Sequence, residues 1–355
     1  MAVACRAFAG DQCGDVYRLQ RLAAAFIEPQ GGHAAFCWFR HGDCSQWVLH
    51  KVPPNAAWGK GACYTRGTKA PGHRGEEMQH YIVAPEVVGR MSRAAMSLLG
   101  VLGDEERRAA TFEFADQERL NWHFVPRPRK GFPRKRMSDR QVAAADALME
   151  TGLSPSGYRK AKAIIDLEVI LREAETMANE LIHDRDPGLY YYSIFGDPAG
   201  PMPWGWRLEG HHVSLNYTVS GDRLSITPAF FGANPAEVRH GDHKGMRILR
   251  DEEEIARGLA RSLSSDQAGR AIIAGKAPRD IATRDRAKVD MGAPVGLQVG
   301  AMTAGQAEAA LRLVRLYIER HPAVAGELVW AAVEAASTGD VHFAWAGGLE
   351  LGQGH

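Results

Sequence analysis

The sequence predicts an α+β fold: a small, mostly antiparallel sheet carrying a central hairpin, packed among several helices. Three observations predict it. The run from Tyr190 to Asn234 is the chain's densest stretch of aromatic, β-forming and turn residues. Hydroxyl residues placed three before a glutamine recur ahead of Ala/Leu-rich runs, which is how helices start. Helical segments gather around the strands instead of alternating with them one for one, which argues against a doubly wound parallel sheet.

Composition supports a folded, water-facing protein. Of 355 residues, 45% are hydrophobic and 24% charged, enough apolar material for a sizeable core. Net charge is +1, so no global pull toward nucleic acid or a membrane surface is expected. No apolar run approaches the roughly 20 residues of a spanning helix. The opening MAVACRAFAG lacks a continuous apolar core, so a secretory signal is not evident and a cytoplasmic location is the default. The cysteines, Cys5, Cys13, Cys37, Cys44 and Cys63, are odd in number and form no CxxC pair, so free thiols are expected.

Residues 1–88 read as an atypical, poorly ordered extension, and 89–355 as a single α+β domain. Val88, Met91, Ala95, Leu98 and Leu99 recur at helical spacing. Phe112 and Phe114, then Trp122 and Phe124 around His123, read as short strands. Arg127 to Arg136 holds six basic residues, with two prolines and a glycine that make it a loop. A solvated loop is preferred there over a phosphate grip. Ser138/Gln141, Ser264/Gln267 and Thr303/Gln306 are capping boxes. Ser154-Pro155 starts a long helix that ends before Asp186-Pro187.

In the central stretch, Trp204, Trp206 and Leu208 sit at even positions, whereas Val213, Leu215, Tyr217 and Val219 sit at odd ones. One inserted residue restores a common face, and a β-bulge at Gly210-His211 supplies it. Arg207, Glu209, His212, Ser214 and Asn216 then line the opposite face. Ser220-Gly221-Asp222-Arg223 turns the chain. Asn234-Pro235-Ala236-Glu237 reads as a helix start, followed by a glycine-bounded loop with His240, Asp242 and His243. Asp251 to Glu254 opens a helix with acids at its positive end. Two helices follow Thr303, then a strand from Val341 to Trp345.

The segments RDPGLYYYSIFGDP, WGWRLEGHHVSLNYT, FFGANPAEVRHG, GMRILRDEEEIAR and FAWAGG resemble the domain-of-unknown-function family 3500 of bacteria and fungi, from about Leu98 to Gly348. The resemblance implies no activity. It implies that the extension is not family sequence, and that a tyrosine-rich strand and an Asn-His-Ile-His segment usually follow the glycine-rich stretch. This chain would lack that continuation, and with it part of any site built on those histidines.

Two functional expectations follow. The first is a metal-dependent enzyme, hydrolase-like, in which zinc or iron activates water. Glu209, His211, His212 and His243 are its candidate ligands, with His183, His240 and Asp242 in reserve, and Glu209, His212 and Ser214 its catalytic candidates. The second is a non-catalytic module for a small polar ligand such as a sugar or acid, with Arg207, Asn216, Trp204, Trp206 and Tyr191 as binding residues. The plainer alternative is an Arg207–Glu209 ion pair on a solvated sheet face. Nucleic-acid binding through Arg127 to Arg136 ranks last. No nucleophile elbow, phosphate loop or dinucleotide fingerprint is present.

Overall fold

The computed structural model describes residues 34–41, 44–50, 81–287, 289, 293–335 and 341–351, the first two segments by their backbone alone. Most of the expected extension and all five cysteine side chains lie outside the described residues.

The strands, in chain order, are β1 (Ala34–His41), β2 (Cys44–His50), β3 (Ile82–Val83), β4 (Thr111–Phe112), β5 (Phe132–Pro133), β6 (Tyr191–Phe195) and β7 (Trp204–Glu209). They continue with β8 (Val213–Ser220), β9 (Arg223–Ser225), β10 (Ala229–Phe231), β11 (Ile272–Ala274), β12 (Leu297–Gln298) and β13 (Val341–Ala346). The α-helices are α1 (Pro85–Val101), α2 (Asp104–Ala110), α3 (Asp139–Gly152), α4 (Pro155–Met177), α5 (Arg250–Ser262), α6 (Ser265–Ala271), α7 (Ala304–Ile318) and α8 (Ala323–Ala335).

The class is α+β, but the sheet is not small. Eight strands run in the order β3-β9-β8-β7-β6-β4, with β10 added on β8 and β5 on β6. All these pairs are antiparallel except β4 with β6. A second, five-stranded sheet is built on β13, which lies parallel to β1 and β11 and antiparallel to β12. In β1 and β2 the described backbone forms an antiparallel pair. Among the described residues no helix is long and apolar enough to cross a membrane.

The helix starts follow from their caps. Ser138, Ser264 and Thr303 each accept from the backbone amide three residues on, while the glutamine there bonds back to the cap. Ser154 Oγ accepts from Gly157 N at 3.0 Å, with Pro155 in the first turn of α4. Against the sheet, α1, α3 and α4 bury Met91, Leu98, Leu148 and Ile164 beside Trp206 and Leu215. Each such side chain contributes about 1.5–3 kcal/mol through burial. A second core joins α5 and α7 to β13.

Three local expectations change. The bulge at Gly210-His211 is a chain reversal: Glu209 pairs with Ser214, and Gly210 N donates to Val213 O at 2.9 Å. His211 and His212 form the tip, with His212 left-handed at φ 62°. A reversal shifts the alternation as a bulge does, so the apolar face is shared as expected. Gly210 is needed for space, since a Cβ there would lie 2.3 Å from the Tyr190 ring. The Trp122–Phe124 segment is no strand; its amides and carbonyls serve the turn and Glu209 instead. Asn234–Glu237 opens no helix, because Val238 N donates to Met246 O at 3.0 Å, closing a loop. The acids that open α5 stand in its first turn as expected, and they also do work in the core. Glu252 is 1% exposed, pairs with Lys160 and accepts from Arg320 Nη2 at 2.6 Å, tying α5 to α4 and to the segment after α7.

Candidate active site

Cross-strand register puts Arg207 opposite Asn216 and Glu209 opposite Ser214, so these four side chains share one face of the β7–β8 pair. That face is covered, not solvated. Residues 116–129 cross it and complete a chain of alternating charges. Arg207 bonds the Glu118 carbonyl at 2.8 Å and the Glu118 carboxylate. Glu209 Oε1 accepts from Arg129 Nε at 2.8 Å. Its Oε2 accepts from His123 N at 2.7 Å and lies 3.5 Å from Arg207 Nε and from Ser214 Oγ. Glu209 is 2% exposed, so its lone pairs are committed within this network.

The expected site residues therefore separate. Glu209, Ser214, Arg207 and Asn216 belong to the sealed network, where Asn216 Nδ2 donates to Ser214 Oγ at 3.0 Å. Trp204 and Trp206 are core residues, and Trp206 stacks on Tyr217 with centroids 4.4 Å apart. His243, with His240 and Asp242, is exposed in the loop before α5. His212 is half-buried, its ring stacked on His211 at 3.9 Å. Among the described residues no group of three or more His, Cys, Asp or Glu side chains is arranged to hold a metal.

Beside the turn tip lies a cavity of about 340 Å³, lined by residues that include Arg127, Arg129, Glu168, His183, Arg185 and His211. Tyr191 also lines it. Thus His211 and Tyr191 are the sequence-predicted site residues found there, with His183 from the reserve set.

Each element places one part of the wall. Glu168 projects from α4 and is 4% exposed. Its carboxyl contacts His211 Nδ1 directly. His211 is held at the turn tip by Tyr190, whose hydroxyl donates to the His211 carbonyl. Arg185, after α4, is clamped by Glu175 through two bonds of 2.9 and 2.7 Å, leaving Nη1 at 3.5 Å from His211 Nδ1. Arg129 gives Nη2 to the carbonyls of Val125 and Gly210 at 2.6 and 3.0 Å.

Burial shapes the ionisation of the pair. Loss of water pushes the Glu168 carboxyl up to about 8, aided by Glu175 and Asp186 and opposed by Arg185 and Arg129. Burial also brings the His211 imidazole down to about 3, helped by the positive charges of Arg185, Arg129 and His183. Both directions favour neutral partners. The pair thus holds one titratable proton at neutral pH, placed on Glu168 and donated to His211 Nδ1. Above about pH 8 Glu168 is ionised and His211 donates its Nδ1 proton instead, which leaves Nε2 as a base.

Glu168 escapes sequence reasoning because it sits on the apolar stripe of its helix, in line with Ile164 and Leu171. An acid at a core position is the available signal. The model of the family described as "Protein of unknown function (DUF3500)" matches residues 85–355. The chain belongs to this family. The DUF3500 match takes in α1 from its first residue, earlier than the resemblance starting near Leu98, and contains Glu168, Arg185 and His211. No curated protein and no solved structure matches the chain.

Proposed function

We propose that the cavity is the active site of an enzyme acting on a small molecule, with Glu168 and His211 as its general acid–base pair. One observation carries the reading: a carboxyl and an imidazole in direct contact, both buried, in the wall of a cavity of about 340 Å³. That volume suits a small ligand. A pair that gives a proton in one state and takes one in the other meets the requirement for general acid–base catalysis, including activation of water for hydrolysis.

The same surroundings speak against zinc or iron at this wall. A divalent cation would meet the Arg185 guanidinium, 3.5 Å from His211 Nδ1, and would have to displace the Glu168 proton.

The test is turnover of a polar metabolite extract followed by mass spectrometry. Wild-type protein should consume at least one species that Glu168→Gln and His211→Asn leave intact. Consumption unaffected by both substitutions contradicts the proposal. Specific binding without consumption by any of the three proteins returns the chain to a non-catalytic module.

A further inference from the structure

The basic run Arg127 to Arg136 is largely neutralised within the fold. Arg129 meets Glu209 at 2.8 Å, Lys130 lies 3.9 Å from Glu118, and Arg134 pairs with Asp146. Lys135 lies 2.7 Å from Asp186 and 3.6 Å from Asp184, and Arg136 lies 3.5 Å from Glu105. Among the described residues, Arg127 alone of the six has no carboxylate partner. Of the six, it and Arg129 line the cavity.

The geometry points to Arg127 as the recognition residue for an oxyanion, so that the ligand of the cavity carries a carboxylate or phosphate group. This inference rests on reading the cavity as a ligand site. A guanidinium has five N–H donors. Those of Arg127 bond the Asn121 side-chain oxygen at 3.0 Å and, at 3.5 Å, the Pro128 carbonyl, which leaves donors for a forked contact. The residue is half-buried, so its charge is incompletely hydrated.

The backbone is prepared for the role. Arg127 stands between Pro126 and Pro128, both in the cavity wall, and each ring fixes φ at its own position. Its carbonyl accepts from Arg129 Nη1 at 3.1 Å. Little freedom is left to lose on binding. Asp184 and Asp186, also in the lining, lie 3.6 and 2.7 Å from Lys135, and among the described residues neither pairs with Arg127. Arg129 adds positive charge but spends its donors on Glu209 and backbone carbonyls, so it supplies field, whereas Arg127 supplies contacts. An oxyanion on Arg127 would then present the rest of the molecule to the Glu168–His211 pair in the same cavity.

Ligand-observed NMR at constant ionic strength tests this with methyl phosphate, propionate and, as neutral control, propionamide. At least one oxyanion should bind wild-type protein and propionamide should not; which one binds separates phosphate from carboxylate. Arg127→Met should weaken that binding about tenfold or more, and Arg127→Lys, which keeps the charge but not the fork, should fall between. Glu168→Gln should leave oxyanion binding in place, so failure of the acid–base reading is seen separately in the turnover assay. No oxyanion binding to folded wild-type protein, or equal binding by wild type and folded variants, overturns the inference.

Discussion

Glu209 and Glu168 are both almost wholly buried, and the same three-residue turn serves both. Glu209 leads into it, and His211 at its tip meets Glu168. Their surroundings differ in kind. Glu209 faces two guanidinium groups, a backbone amide and a hydroxyl. Glu168 faces an imidazole and a cavity, while the nearest guanidinium is already clamped by Glu175. Burial alone does not make a carboxylate reactive. Charge compensation turns one into a structural strut, and an incompletely compensated one keeps a proton it can exchange.

The largest effect should come from breaking the strut. Glu209→Ala leaves the buried Arg129 without its carboxylate partner and should cost about 3–5 kcal/mol, read as a fall in denaturant midpoint. A loss below 1 kcal/mol would mean that the network is not the anchor described. Next is the turn that separates the two acids. Gly210→Ala puts a methyl 2.3 Å from the Tyr190 ring, and overpacking of this kind costs about 1–3 kcal/mol. It should also displace His211 and lower turnover, whereas equal stability with full turnover would show that Tyr190 does not fix the tip.

Smaller effects sharpen the contrast. Ser214→Ala removes the acceptor for Asn216 and a long contact to Glu209, worth about 1 kcal/mol, and should leave turnover unchanged. Reduced turnover at unchanged stability would move the site back toward the sheet face. His243→Ala, on an exposed loop, should stay within about 0.5 kcal/mol and not alter activity.

Much of this fold was legible. The capping boxes need only a hydroxyl and a glutamine at fixed spacing, and Gly221, at φ 57°, marks the β8–β9 turn. The apolar face of β7 and β8 was also readable, because register puts Trp206 beside Tyr217. What failed depends on contacts distant in sequence. The His211-His212 reversal has no glycine or asparagine at its left-handed position, and its glycine answers to Tyr190 instead. The polar face looked solvated because nothing local announces that residues 116–129 cover it. Glu168 acquires its role from α4, which brings it against His211, a residue 43 positions away in sequence.

Protonation of Glu168 has a stability signature. The folded state holds the Glu168 proton to about pH 8, while an unfolded chain releases it near 4.5, so stability falls as pH rises across that interval. His211, brought from 6.5 down to about 3, contributes the opposite slope below 6.5. The two cancel between 4.5 and 6.5 and leave a net decline from 6.5 to 8. The His211 slope is common to both proteins, so Glu168→Gln should gain stability relative to wild type across the whole interval from 4.5 to about 8.

The direct measurement is difference infrared spectroscopy of wild type against Glu168→Gln across pH. A protonated-carboxyl band assignable to Glu168 at neutral pH, lost near pH 8, is the predicted result. Ionisation of Glu168 near 4.5, with no such band at neutral pH, would rule out a proton-holding Glu168.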